Sequence, residues 1–222
     1  MTAKKSTTTK TKISKDTIIS RYMDTVLTTE HRPKSIYKFC KENTMAEADF
    51  YRFFGSLELL QKEIWTSFFE HTMRLTKESK EYEVSENKEK MLIFFYTFFE
   101  MLTANRSYVL FSLKESKDAM NNMSQLKGLR AHIKGFAASL IVERNDTQQL
   151  KILKHPSKLF SEGAWLQTLF ILNFWMDDSS PSFEKTDLVI EKSVRAIFDV
   201  FETTPLESLV DFGKFMWKEK MA

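Results

Sequence analysis

The sequence predicts an all-α protein. Glycine and proline are scarce, five and four in 222 residues, and a β-rich chain of this length needs many more turn residues. Apolar residues recur at helical spacing in segment after segment. No stretch reads as a strand, and there is no internal repeat.

Residues 1–14 are Lys, Thr and Ser with almost nothing apolar. This segment is expected to be disordered, as a basic arm for DNA or a solubilising tail. A first helix is expected over about Lys15 to Thr29, with Ile18, Ile19, Tyr22, Met23, Val26 and Leu27 on one stripe. A second begins near Pro33, a favoured first-turn residue, and buries Ile36, Phe39 and Cys40. After the polar break Glu42-Asn43-Thr44, a third spans about Ala46 to Phe53, turning Phe50 and either Phe53 or Phe54 inward. Ser56 reads as the N-cap of a long fourth helix to about Lys77. Residues 76–90 are dense in charge and read as a break.

The run Met91 to Leu102 is apolar on nearly every side, which marks a buried central helix. Its twelve residues are too few to cross a bilayer. Further helices are expected over Ser107 to Lys117 and Leu126 to Ile141, the latter open to extension as far as Leu153. Asn121-Asn122 and His155-Pro156 mark breaks. Two strongly apolar helices, about 157–176 and 183–203, flank the turn Asp177-Asp178-Ser179-Ser180-Pro181. A last amphipathic helix over Leu206 to Lys220 either docks on the body or lies on a membrane surface. Three regions result: a basic tail (1–14), a small three-helix head (15–55) and a helical body (56–222).

Composition narrows the chemistry. With a single cysteine, Cys40, the chain has no internal disulfide and no cysteine metal cluster. No two of the four histidines are spaced as a helical metal pair. No nucleophile–base pairing or phosphate loop is present, so no enzyme, metal or cofactor is expected. Without an apolar signal segment, the expected location is the cytoplasm. The net charge is only +3, yet residues 1–55 hold eleven Lys/Arg against six Asp/Glu, the bias of a nucleic-acid-binding head. The 20 Phe and 11 Met suit either a dense core or a cavity for a small apolar ligand. Phe94, Phe95, Phe98 and Phe99 are candidates for its walls, and His71 and His132 for polar anchors. Glu100, within the apolar run, must be exposed, paired with a group such as Arg106, or turned to a cavity.

Residues 33–60 carry the most information. Two short amphipathic segments flank a tight break, and a third helix start follows, which is the layout of a helix-turn-helix. Over residues 16 to about 65 the chain resembles the TetR family of bacterial transcriptional regulators, in register and without a gap. Ile18, Ile19, Tyr22, Met23 and Val26 stand at the apolar positions of the family's first helix. Ser35-Ile36 opens the second, and Phe39 and Cys40 fall on its Ile-Ala pair. Phe50-Tyr51-Arg52-Phe53-Phe54 is similar to the Leu-Tyr-x-Tyr-Phe hallmark, and Ser56-Leu57-Glu58-Leu59-Leu60 to the Ser-Lys-Glu-x-Leu that opens the fourth helix.

The resemblance implies a homodimer that binds a palindromic operator and responds to a ligand. It implies DNA contacts around Lys34, Lys38, Thr44, Ala46, Glu47, Asp49, Tyr51 and Arg52. It also implies a four-helix dimer interface on about 157–176 and 183–203, with Trp165, Leu169, Leu172, Val194, Ile197 and Val200 as candidates. Three departures stand out. Thr44 occupies the turn position usually held by Gly. Ala46-Glu47-Ala48-Asp49 replaces a Ser-Lys/Arg-Gly/Pro-Thr start, bringing two carboxylates that repel phosphates. Leu57 replaces a Lys that commonly touches phosphate. A lipid- or isoprenoid-binding protein that keeps the fold without sequence-specific DNA binding is the alternative expectation.

Overall fold

Helix α1 (Lys15–Thr29) starts where its cap dictates: Ser14 Oγ accepts from the Thr17 backbone N–H at 3.1 Å, a cap that contributes about 1 kcal/mol. The coordinates form a computed structural model that describes residues 13–114, 123–147 and 157–203. All but the end of the tail expected over 1–14, both expected breaks at 121–122 and 155–156, and the helix expected over 206–220 lie outside the described residues. Every long regular element described is an α-helix, and no strand occurs among them. The chain divides into two compact units. One takes in the chain to Ile64 with Ser107–Gln125; the other takes in Trp65–Arg106 and the chain from Leu126.

In the first unit, α1 buries Ile18, Ile19, Tyr22 and Val26. Helix α2 (Ile36–Glu42) starts later than Pro33 suggested. Ser35 is the cap, its Oγ accepting from Lys38 N–H at 3.2 Å, and Pro33 is buried ahead of it. A side chain that satisfies an orphan N–H decides the start more strongly than proline's fixed φ. Helix α3 is short (Glu47–Tyr51), and α4 (Leu57–Glu78) begins at the expected Ser56, whose Oγ accepts from Leu59 N–H at 3.2 Å. A buried relay ties α1 to α4: Arg32 donates to Gln61 Oε1 at 2.8 Å, and Gln61 donates to the Tyr22 hydroxyl at 2.7 Å. The Tyr22 ring meets Phe39 edge-on at 5.8 Å and Tyr108 at 6.4 Å.

The second unit is built around α6 (Asn87–Ala104). Met91, Phe94, Phe95, Phe98, Phe99 and Leu102 are all buried, each Phe contributing about 1.5–3 kcal/mol by leaving water. Their rings chain together and continue into the neighbouring helices. Phe94 stacks on Phe98 at 5.7 Å and meets Phe69 of α4 at 5.5 Å, while Phe99 meets Trp175 at 6.2 Å. The charged stretch read as a break contains a short helix, α5 (Lys80–Val84), anchored by the buried Tyr82. Helix α7 (Arg106–Lys114) follows α6 in sequence and, from Ser107 on, belongs to the first unit; the second unit continues with α8 (Lys127–Thr147), α9 (Ser157–Asp177) and α10 (Glu184–Thr203). Glu162 of α9 accepts from Arg130 at 3.0 Å and from Lys134, clamping α9 to α8.

The corner between α9 and α10 is fixed by Arg106. Its guanidinium donates to the carbonyls of Trp175 (2.8 Å), Met176 (3.1 Å) and Asp178 (3.2 Å), satisfying acceptors that a helix end leaves open. It lies over the rings of Trp175 and Phe183, at 4.4 and 4.6 Å from their centroids. Glu100 is exposed and leaves Arg106 to these partners. Asp178 completes the corner: Oδ1 accepts from Ser180 N–H and Oγ–H, and Oδ2 from Thr186 N–H and Oγ1–H, at 2.6–3.0 Å. Burial alone would raise its pKa, but these four donors hold it down to about 2. Ser182 and Phe183 adopt φ of 50° and 61° in the turn so stabilised.

Arg106→Lys keeps the charge but removes the planar fork and its stacking. It is expected to destabilise the protein by about 2–3 kcal/mol, read from the midpoint of urea unfolding. A midpoint unchanged from the parent would show that the corner is held by other contacts.

Candidate nucleic-acid interface and ligand cleft

The helix-turn-helix is organised by one buried ring. Phe50 of α3 is fully buried against Phe39 of α2 (6.1 Å, edge-on) and Phe54 (5.7 Å). Phe54 is therefore the inward residue of the pair left open, and Phe53 is exposed. The turn is bound to α1. Arg21 donates to the Asn43 carbonyl at 2.7 Å, and the Asn43 amide donates to Thr25 Oγ1 and to the Phe39 carbonyl, both at 3.0 Å. At the next position Thr44 has φ 52°. A β-branched residue is strained in this left-handed region, where Gly is at ease.

Around this turn Lys34, Lys38, Thr44, Ala46, Tyr51 and Arg52 are exposed, while Glu47 and Asp49 are half-buried. The basic groups are partly occupied by the acidic ones: Lys38 lies 3.6 Å from Glu42, and Arg52 lies 3.4 Å from Asp49. Exposed pairs of this kind contribute at most about 1 kcal/mol and open readily. Arg52 also lies over the Phe53 ring, and Lys41 over that of Tyr37. Ala46 gives α3 no side-chain cap; Glu47 and Asp49 supply first-turn negative charge instead. Buried Cys40 feels them: burial, then Glu47 and Asp49, push its thiol pKa above the ordinary value.

Within the second unit a cleft of about 550 Å³ opens between α4 and α8. Phe69, Met73, Arg74 and Lys77 line it from α4, and His132, Gly135 and Phe136 from α8. His132 thus lies in a cleft, its ring stacked on Phe69 at 5.1 Å. His71 does not line this cleft; it shares a hydrogen bond with Arg74 at 2.5 Å. Phe94, Phe95, Phe98 and Phe99 are core residues, with Phe94 one layer behind the cleft, 4.7 Å from Phe136. Among the described residues no group of His, Cys, Asp and Glu has metal-site geometry.

The candidate dimer residues divide. Trp165, Leu172 and Val194 are buried within the subunit, Leu169 and Ile197 are half-buried, and Val200 is exposed. The apolar side chains of α9 that stand in solvent are Leu159, Leu166 (65 % exposed) and Phe170 (58 %). With Gly163 these fall on one stripe at i, i+4, i+7 and i+11. Because α9 is apolar on several sides, periodicity does not single them out; Arg74 and Lys77 are charged positions of α4 that no apolar pattern marks.

A helix-turn-helix head on an all-helical body defines a class of regulatory protein. Within it, the sequence from residue 90 to 216 matches the family described as "Tetracyclin repressor-like, C-terminal domain". The match spans more than half of the chain, which belongs to the tetracycline-repressor-like (TetR) family of regulators. A comparison with curated proteins finds no match. Among the described residues no helix is long and apolar enough to cross a membrane.

The strain at Thr44 gives a direct test of the turn. Leaving the left-handed penalty behind gains about 1–2 kcal/mol, and glycine's greater freedom when unfolded offsets about 0.5–1 kcal/mol. Thr44→Gly is expected to stabilise the head by about 0.5–1 kcal/mol, measured by hydrogen exchange of α2 and α3 amides. Faster exchange in the variant would contradict the left-handed turn.

Proposed function

We propose that the protein is a ligand-responsive transcriptional regulator that binds operator DNA as a homodimer. The observation that carries this is the exposed set Lys34, Lys38, Tyr51 and Arg52 on a helix-turn-helix with a closed aromatic core. Lysine, arginine and tyrosine side chains are phosphate contacts, which set register on the duplex. In this scheme residues 15–55 form the DNA-binding head, with Thr44, Ala46, Glu47 and Asp49 at the groove. Residues 56–222 bind ligand and dimerise, and a ligand alters operator affinity by changing the spacing of the two heads, since half-site distance is fixed by DNA.

The acidic α3 start sets the character of the binding. Glu47 and Asp49 lower phosphate affinity and leave cytosine amino groups as their favourable base contacts. Weak non-specific binding with retained site preference is the expected profile. Selection from genomic DNA fragments at ~150 mM salt, where non-specific phosphate contacts are weak, is expected to enrich one palindromic site. Glu47→Gln with Asp49→Asn is expected to raise affinity for unrelated DNA several-fold while blurring that site. Absence of any enriched site would remove the DNA-binding role and leave a ligand-binding protein of the same fold.

The homodimer is supported by the solvent-exposed Leu159, Leu166 and Phe170, which share one stripe of α9 with the half-buried Gly163, and by the exposed Val200 on α10. A Cβ at Gly163 would meet nothing within 4 Å among the described residues, so a second α9 can approach closely there. Leu166→Glu with Phe170→Glu is expected to halve the mass measured by sedimentation equilibrium with helix content unchanged. A parent protein already at monomer mass would dispose of the dimer.

A further inference from the structure

We propose that the cleft between α4 and α8 takes an amphipathic anion, a flat apolar body bearing one carboxylate. This rests on the reading of the protein as a ligand-responsive regulator and names the chemistry of its ligand. The floor is apolar: Phe69, Met73 and Phe136, with both rings backed by Phe94 at 5.5 and 4.7 Å. Flat bodies suit such a floor, because ring pairs gain beyond simple burial when offset or edge-on. Gly135 leaves room for that body: a Cβ there would meet nothing within 4 Å among the described residues. The volume of about 550 Å³ lies in the range of small-molecule sites.

The rim supplies the charge preference. Arg74 and Lys77, successive on one face of α4, both line the cleft, with the imidazole of His132 across from them on α8. Neither cation has an ion-pair partner among the described residues; the hydrogen-bond partner of Arg74 is Nδ1 of His71. The lining holds one carboxylate, Glu70, against these two fixed cations. An apolar floor alone would accept a neutral molecule. A rim of two cations against one carboxylate favours a ligand whose anionic end meets them, and Arg binds a carboxylate through two parallel N–H donors.

The test uses the full chain, without DNA, and a matched pair of probes: 2-naphthoate and 2-naphthamide, titrated by calorimetry. Naphthoate is expected to bind roughly tenfold or more tightly than the amide, the scale of one charge-assisted hydrogen bond. Arg74→Gln with Lys77→Gln is expected to bring naphthoate down to the amide's affinity while leaving the amide unchanged. Gly135→Leu, a better helix former than glycine, is expected to fill the cleft and weaken both probes without loss of thermal stability. Equal affinity of acid and amide, binding of neither, or naphthoate binding indifferent to all three substitutions would each overturn the assignment. A selected operator together with unbound naphthoate removes this ligand class alone; bound naphthoate without an operator removes the regulator and keeps the cleft.

Discussion

The constraint on which the second unit depends is that α6 has almost no face for water. Met91, Phe94, Phe95, Phe98, Phe99 and Leu102 are buried, and Phe94 meets Phe95 at 5.4 Å and Phe98 at 5.7 Å, with Phe98 meeting Phe99 at 5.7 Å. A helix of this kind must be covered on every side before it is stable. The cover comes from α4 through Phe69, α8 through Phe136 and α9 through Trp175. The cleft lies where two of those covering helices part above Phe94. Its floor is as rigid as the core beneath it, since densely packed rings yield little.

The first unit follows a different logic. Its aromatic core is small, and polar ties contribute much of its definition: Arg32 to Gln61 to Tyr22, and Arg21 and Thr25 to Asn43. These ties hold the turn closely enough to keep Thr44 at φ 52°, a conformation that a threonine does not adopt unaided. The carboxylates that follow stabilise a five-residue helix that lacks a side-chain cap. The same two residues stand where DNA would approach in the family to which the chain belongs. What stabilises the helix locally would repel a phosphate backbone at the same positions.

Much of the helical framework is legible in the sequence because apolar stripes and caps act locally. The apolar stripe places the first helix from Lys15 and Ser56 marks the start of the fourth, while Ser14, grouped with the tail, is the cap of the first; the 91–102 run is the buried centre it reads as. Pro33 misleads because proline only permits a helix start, whereas Ser35 satisfies an open N–H. Tyr82 turns a charged stretch into a short helix through burial that no local pattern encodes. The faces of α9 are harder still. Trp165 and Leu166 are equally apolar neighbours, yet one is inside and the other in solvent, a difference set by tertiary packing. The cleft is also non-local: its rim comes from polar positions on two helices more than fifty residues apart, each unremarkable alone.

Cys40 is the only thiol in the chain, and it is 1 % exposed beneath α3. Burial and the two nearby carboxylates disfavour its thiolate, the form that reacts. A thiol reagent can therefore modify the native protein only when the head opens, and the modification rate reports the free energy of that opening alone. The molecule carries its own clock for local unfolding, placed in the helix-turn-helix head and silent to fluctuations elsewhere.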